Sequence, residues 1–175
     1  HTKQVGQIDP SLFHTVVPDE PFWIGDLEVE PVRISHDAVD PVAYIVRNGG
    51  TSAGVVTDLG VYGQYLLDKL RGVNLLLLEA NHDVNMLQAG PYPYYLKRRI
   101  LGERGHLSNE LCGQFLARLL HEKLKAVLLG HLSRENNYPQ LALEAVRMEI
   151  TLGDCPFCGE DIPISVAKRD CVSER

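Results

Sequence analysis

Val73-Asn-Leu-Leu-Leu-Leu78-Glu-Ala-Asn-His-Asp83 is the stretch whose reading decides the fold. Its first half is an apolar run of strand length that follows the breaker Gly72, and it reads as a buried strand. Its second half turns polar and ends in Asn81-His82-Asp83. The same grammar recurs elsewhere. The strand pattern Val29 to Ile34 is followed by His36-Asp37, Gly54-Val-Val-Thr57 by Asp58, and Ala126-Val-Leu-Leu129 by Gly130-His131. Strand after strand thus releases a His or an Asp at its C-terminal end, where layered α/β folds gather side chains around a ligand. Imidazole and carboxylate together suit Zn²⁺, Mn²⁺ or Fe²⁺, and an Asp with both oxygens free can bridge two ions. Taken singly, each is more often a surface residue or a turn former, so the weight lies in the repetition. His1, His14 and His121 lack this setting and are read as ordinary.

Outward from that stretch, the first part of the chain reads as strands. Leu27 to Ile34 alternates apolar and polar residues, with Pro31 pointing to an edge or a bulge. Pro41 to Val46 runs into the turn Asn48-Gly49-Gly50 and a return strand from Ala53 to Thr57, a hairpin. Tyr62 to Arg71 has helical spacing. Farther along, Ser108 to Lys123 reads as a helix with Ser108 as N-cap, and Lys125 to Leu129 as a buried strand. Asn137 to Arg147 reads as a helix with Pro139 in its first turn, and Ile162 to Ala167 as a last strand. Strands first and helix–strand alternation later imply an α/β layered domain.

The bulk properties exclude several classes. The 175 residues, 45% hydrophobic and 23% charged, suit an ordinary globular chain. No apolar run approaches the roughly 20 residues of a membrane span. The formal charge of −6 argues against non-specific nucleic-acid binding, except locally at Lys97, Arg98, Arg99 and Arg104. The first ten residues are polar and carry no apolar signal core, so a cytoplasmic location is expected. Cys112, Cys155, Cys158 and Cys171 are too few and too unevenly spaced for a disulfide framework. Within residues 153–160, Cys155-Pro-Phe-Cys158-Gly159 looks like half a zinc knuckle, a small excursion from the domain. A structural zinc, a redox-sensitive pair and plain loop cysteines all remain open there.

Six blocks stand in one order: Ser35-His-Asp-Ala-Val-Asp40, Thr57-Asp-Leu-Gly60, Leu78-Glu-Ala-Asn-His-Asp83, Gly90-Pro-Tyr-Pro93, Arg104-Gly-His-Leu-Ser-Asn109 and Gly130-His-Leu-Ser133. Together they resemble the metallo-β-lactamase-fold hydrolases of the YycJ/WalJ group, relatives of ribonuclease J, tRNase Z and PhnP-type phosphodiesterases. The resemblance covers about residues 4–150 and implies an αββα sandwich, of which residues 1–175 would form the C-terminal half. It casts His36, Asp58 and His131 as metal ligands, Asp58 as the bridge. It casts His106 as a residue beside the scissile phosphate that donates a proton to the leaving group. His82 and Asp83 match a signature of the group, either as a metal or phosphate contact or as a structural hydrogen bond.

What the resemblance implies is a hydrolase with two divalent ions, Zn or Mn, most often a DNA exonuclease acting through a metal-activated water. DNA is then the expected partner and no membrane is involved. The alternatives are a metallo-hydrolase of a small lactone, thioester or phosphodiester, and an inactive half-domain that binds a partner. The family's His-x-His-x-Asp-His motif occurs nowhere in these 175 residues. The expectation is therefore a chain holding part of the site, inactive and marginally folded by itself, drawn from a longer protein or from a shortened paralogue. Oligomeric state is not specified by the sequence.

Overall fold

The computed structural model describes residue 6 and residues 8–173; His1 lies outside them. A short 3₁₀ turn, Pro10–Leu12, precedes the sheet. Seven strands follow: β1 (Phe22–Ile24), β2 (Leu27–Arg33), β3 (Val42–Asn48), β4 (Thr51–Val56), β5 (Leu75–Glu79), β6 (Ala126–Gly130) and β7 (Ile164–Val166). The sheet keeps chain order from edge to edge. β1 to β4 form an antiparallel meander, and β4 to β7 pair in parallel. The hairpin between β3 and β4 turns on Gly49 and Gly50 at φ 53° and 82°, a left-handed pair that only glycine adopts freely. β1 pairs β2 only over Leu27–Val29, so Pro31 lies beyond it, where β2 is locally an edge.

Parallel pairing requires crossovers, and helices supply them. α1 (Gln64–Leu70) joins β4 to β5 and buries Leu66, Leu67 and Leu70. α2 (Val84–Ala89), α3 (Tyr94–Ile100) and α4 (Asn109–Ala117) lie between β5 and β6. α5 (Pro139–Leu152) leads to β7. α4 buries Cys112, Phe115 and Leu116, and α5 buries Ala142, Val146 and Ile150 at four-residue spacing. These side chains share one core with Val32, Ile45, Val56, Leu76, Leu78, Val127 and Leu129 from the sheet.

The opposite sheet face is also apolar. Tyr44, Val55, Leu77 and Leu128 lie in one cross-strand row, and Val46, Ala53, Leu75 and Ala126 in the next. Val55 of β4 and Leu75 of β5 are 37% and 41% exposed on this face, while Leu76, Leu78 and Glu79 of β5 are buried. Several boundaries shift. α4 stops at Ala117 instead of Lys123, because His121 Nε2 sits 3.0 Å from the Val73 carbonyl and Lys125 N–H donates to Asn74, drawing the chain down to the sheet. α5 runs to Leu152 because its apolar stripe continues to Ile150. α1 starts at Gln64, and Tyr62 instead stacks on Phe115 with ring centroids 4.2 Å apart. Residues 153–163 are irregular and join α5 to β7.

Candidate metal and phosphate site

The C-terminal ends of β4, β5 and β6 deliver Asp58, Glu79 and His131 to one place, and the loop before α4 delivers His106. One ligand atom from each of the four lies within 4.8 Å of all the others. Asp58 and His131 both adopt left-handed backbone, at φ 56° and 57°. That conformation is strained for a residue with a Cβ and marks positions whose side chains must point where the strand would not send them. Neighbouring contacts hold the strained turns in place. Asn81 Nδ2–H donates to the His131 carbonyl at 2.8 Å, and Ser133 N–H donates to Asn81 at 2.7 Å. The buried Asn137 Nδ2–H group donates to the carbonyls of Ala80 and Asn81 just past β5.

Glu79 is the hub, and sequence reading passed over it. Its carboxylate is fully buried. Oε1 lies 2.8 Å from His106 Nδ1 and 2.6 Å from His131 Nδ1, while Oε2 accepts the Leu59 N–H at 2.7 Å. Burial alone would push the Glu79 carboxyl up, but the contacts with His106 and His131 outweigh it and hold the carboxyl below its ordinary range. The hydrogen bond to Glu79 in turn raises His131. The available signal was a carboxylate ending an apolar strand, since a charge there demands partners.

The two Nδ1–H groups face Glu79, so Nε2 is left free on both His106 and His131. His36 follows the same logic: its Nδ1 lies 3.1 Å from the Gly105 carbonyl. Its Nε2 and that of His131 each stand 3.7 Å from Asp58 Oδ1. The spacing is too long for a hydrogen bond and suits ligand atoms that each sit about 2 Å from a shared ion. Gly105 is forced here by crowding: a Cβ would sit 2.1 Å from the Ile100 carbonyl oxygen. His36, His106 and His131 form a chain of tilted rings with centroids 5.1 and 5.3 Å apart.

Other residues singled out in the sequence fall elsewhere. Asp83 caps α2, its Oδ1 accepting the Met86 N–H at 2.7 Å. His82 is 1% exposed, and neither ring nitrogen has a hydrogen-bond partner; burial pushes it down to about 4. The basic cluster is divided. Lys97 Nζ donates to the carbonyls of Gln88 and Gly90, Arg98 lies over the Tyr94 ring, and Arg99 forms a two-pronged ion pair with Asp37. Cys155 Sγ contacts the Ile150 and Phe157 carbonyls, and Cys158 is exposed. Among the described residues no third His, Cys, Asp or Glu ligand gathers with them.

No family model matches the chain. Exodeoxyribonuclease WalJ of Streptococcus pneumoniae serotype 2 is 38% identical over 146 residues, covering 81% of this chain and 53% of the relative. The chain is thus similar in sequence to the YycJ/WalJ exodeoxyribonucleases. Exodeoxyribonuclease YycJ of Bacillus anthracis is 38% identical over 122 residues, 70% of this chain and 46% of the relative. Among solved structures, the metallo-β-lactamase fold protein YhfI from Bacillus subtilis superposes with a TM-score of 0.58 at 17% identity, over 87% of this chain and 52% of that one. The chain thus has the metallo-β-lactamase-type α/β fold and spans about half the length of the curated relatives it matches. No helix among the described residues is long and apolar enough to cross a membrane.

Proposed function

We propose that this chain carries half of a two-metal phosphodiesterase site and that the whole protein is a DNA exonuclease. The observation that carries the reading is the convergence of Asp58, Glu79, His106 and His131 within 4.8 Å. His36, Asp58 and His131 are assigned as ligands, because their donor set of two imidazoles and a carboxylate fits Zn²⁺ or Mn²⁺ and their Nε2 atoms flank Asp58, that of His36 also standing 3.4 Å from Asp37 Oδ1. In this reading the remaining ligands come from outside the 175 residues, which contain no His-x-His-x-Asp-His. Divalent ions bound there supply Lewis acidity, which makes water a competent nucleophile near neutral pH and neutralises phosphate charge.

The residues of this chain do the rest. Asp58, whose Oδ1 stands 3.7 Å from both His36 Nε2 and His131 Nε2, would be the carboxylate that holds the ions beside those two imidazoles. Glu79 holds His131 in the tautomer that leaves Nε2 for metal. His106 Nδ1 is hydrogen-bonded to Glu79, so its Nε2 is the atom that carries a proton towards the leaving oxygen. As that proton moves, the Glu79 carboxylate stabilises the imidazolium form that gives it up. The family names of the relatives favour DNA as substrate over a lactone or thioester.

The test uses the full-length protein and a 5′- or 3′-labelled single-stranded DNA with Mn²⁺ or Zn²⁺. Cleavage is expected with metal, is expected to vanish with EDTA, and is expected to fall to background in Asp58→Ala. Undiminished cleavage by Asp58→Ala would overturn the assignment.

A further inference from the structure

Residues 153–163, which join α5 to β7, carry the turn Cys155-Pro-Phe-Cys158-Gly159. β7 runs parallel to β6, so the turn lies at the rim of the sheet opposite the candidate metal site. It is anchored on its inner side. Cys155 and Phe157 pack against the core. Gly159 N–H donates to Thr151 Oγ1 at 3.1 Å, and the Thr151 hydroxyl donates to the Arg147 carbonyl at 2.9 Å. A Cβ at Gly159 would stand 2.6 Å from that carbonyl oxygen, so only glycine lets the turn lie this close to α5. Cys158 and Asp161 close it reciprocally: Cys158 N–H donates to Asp161 Oδ2 at 2.8 Å, and Asp161 N–H to the Cys158 carbonyl at 3.0 Å. On this fixed support Cys158 is exposed, and the half-buried Cys155 thiol is held by the carbonyls of Ile150 and Phe157.

We propose that Cys155 and Cys158 form half of a structural zinc site, completed by the same two cysteines of a second copy of this chain. The proposal is independent of the phosphodiesterase reading. Two cysteines set two residues apart on a tight turn supply half of a tetrahedral thiolate shell, and a closed structural site takes four ligands. Among the described residues no further ligand gathers with the pair. Cys171 is at the other rim, directly after Arg169 and Asp170, which line the cleft beside His131. A two-fold axis through the ion completes the shell with no other residue, because an isologous contact presents the same patch twice. The surroundings fit a second copy. Met148 and Leu152, four residues apart on one face of α5, are 63% and 73% exposed, and Leu152 lines a cleft of about 280 Å³ together with Ala117 and Cys155. Four thiolates around one Zn²⁺ leave a net negative charge, which calls for donors and positive charge nearby. Arg147 packs its Cα and Cβ on Gly159, and its buried Nε–H has no hydrogen-bond partner among the described residues. Zinc binding releases the two thiol protons of each chain, that of Cys155 leaving the carbonyls it now meets.

The test uses the full-length protein loaded with Co²⁺ in place of zinc. Cysteine sulfur gives cobalt an intense thiolate-to-metal charge-transfer band, to which His and Asp ligands at the other site do not contribute. The parent is expected to show this band, to double its mass by light scattering as the band grows, and to hold one cobalt more per two chains than Cys158→Ser. Cys158→Ser changes an exposed side chain; it should lose the band and the doubling while keeping the parent's circular dichroism. Cys171→Ser should keep both. Zn²⁺ added to the cobalt form should bleach the band and leave the doubled mass. A parent without the band would overturn the proposal. So would a band in a protein of single-chain mass, which would place all four ligands in one chain, and so would a doubled mass that survives Cys158→Ser. None of these outcomes bears on DNA cleavage, which Asp58→Ala tests separately.

Discussion

Replacing Glu79 by Gln removes a charge and leaves every neighbour in place, so its consequences can be worked out atom by atom. The carboxylate serves three groups: Nδ1 of His106 and of His131 on Oε1, and the Leu59 N–H on Oε2. An amide has one acceptor oxygen. With that oxygen turned to the histidines, its NH₂ group faces the Leu59 N–H, donor against donor. With the oxygen turned to Leu59, the NH₂ group faces both imidazoles, which must then accept on Nδ1 and carry their protons on Nε2. The first arrangement leaves a buried donor unsatisfied, and both give up charge-assisted bonds. The expected loss is about 2–4 kcal/mol of folding stability. If the second arrangement wins, His131 presents a proton where a ligand lone pair is required, and metal affinity should fall by about 10- to 100-fold. Urea denaturation of the metal-free protein reads the stability, and ¹⁵N spectra of the histidine rings read the tautomers. A Glu79→Gln variant with parental stability and both rings still protonated on Nδ1 would refute the account of Glu79 as hub.

The remaining predictions concern neighbouring groups. His82 is held down to about 4 in the fold and titrates near 6.5 when unfolded, so the unfolded chain takes up a proton that the fold refuses. Stability should therefore fall as pH drops from about 6.5 to about 4 and level off below, by at most about 3 kcal/mol. Urea midpoints against pH should show this slope, and His82→Gln should flatten it. Gly105→Ala places a methyl 2.1 Å from the Ile100 carbonyl oxygen and should cost about 1–3 kcal/mol. It should also loosen His36, whose Nδ1 depends on the Gly105 carbonyl; a melting temperature equal to the parent's would contradict both effects.

The parts of this molecule that showed in its sequence are those whose pattern is long enough to repeat. β2, the β3–β4 hairpin, β5 and β6 announce themselves through alternation, turn residues or unbroken apolar runs. β1, with three residues, and α2 and α3, with six and seven, are too short to display a period, and Pro91 and Pro93 mask the start of α3. His36, Asp58 and His131 were legible because each follows a strand. Glu79 was not, because a carboxylate after four leucines looks like the end of a strand until the imidazoles that satisfy it arrive from positions 27 and 52 residues away. The basic run at 97–104 looked like one patch, but three of its side chains have different partners, which only packing decides.

The chain order of the sheet has a kinetic consequence. From β1 to β7 every strand pairs with its immediate predecessor in sequence, so no strand waits for a distant segment to be made. Closing each pair spans a hairpin or a crossover, the longest running through residues 80–125, and closure entropy grows only slowly with loop length. Folding can thus advance one strand at a time during synthesis, N-terminal strands first, each new strand meeting an edge already in place. On that route Asp58, Glu79 and His131 arrive in succession on neighbouring strand ends, and the candidate ligand cluster closes only when β6 docks.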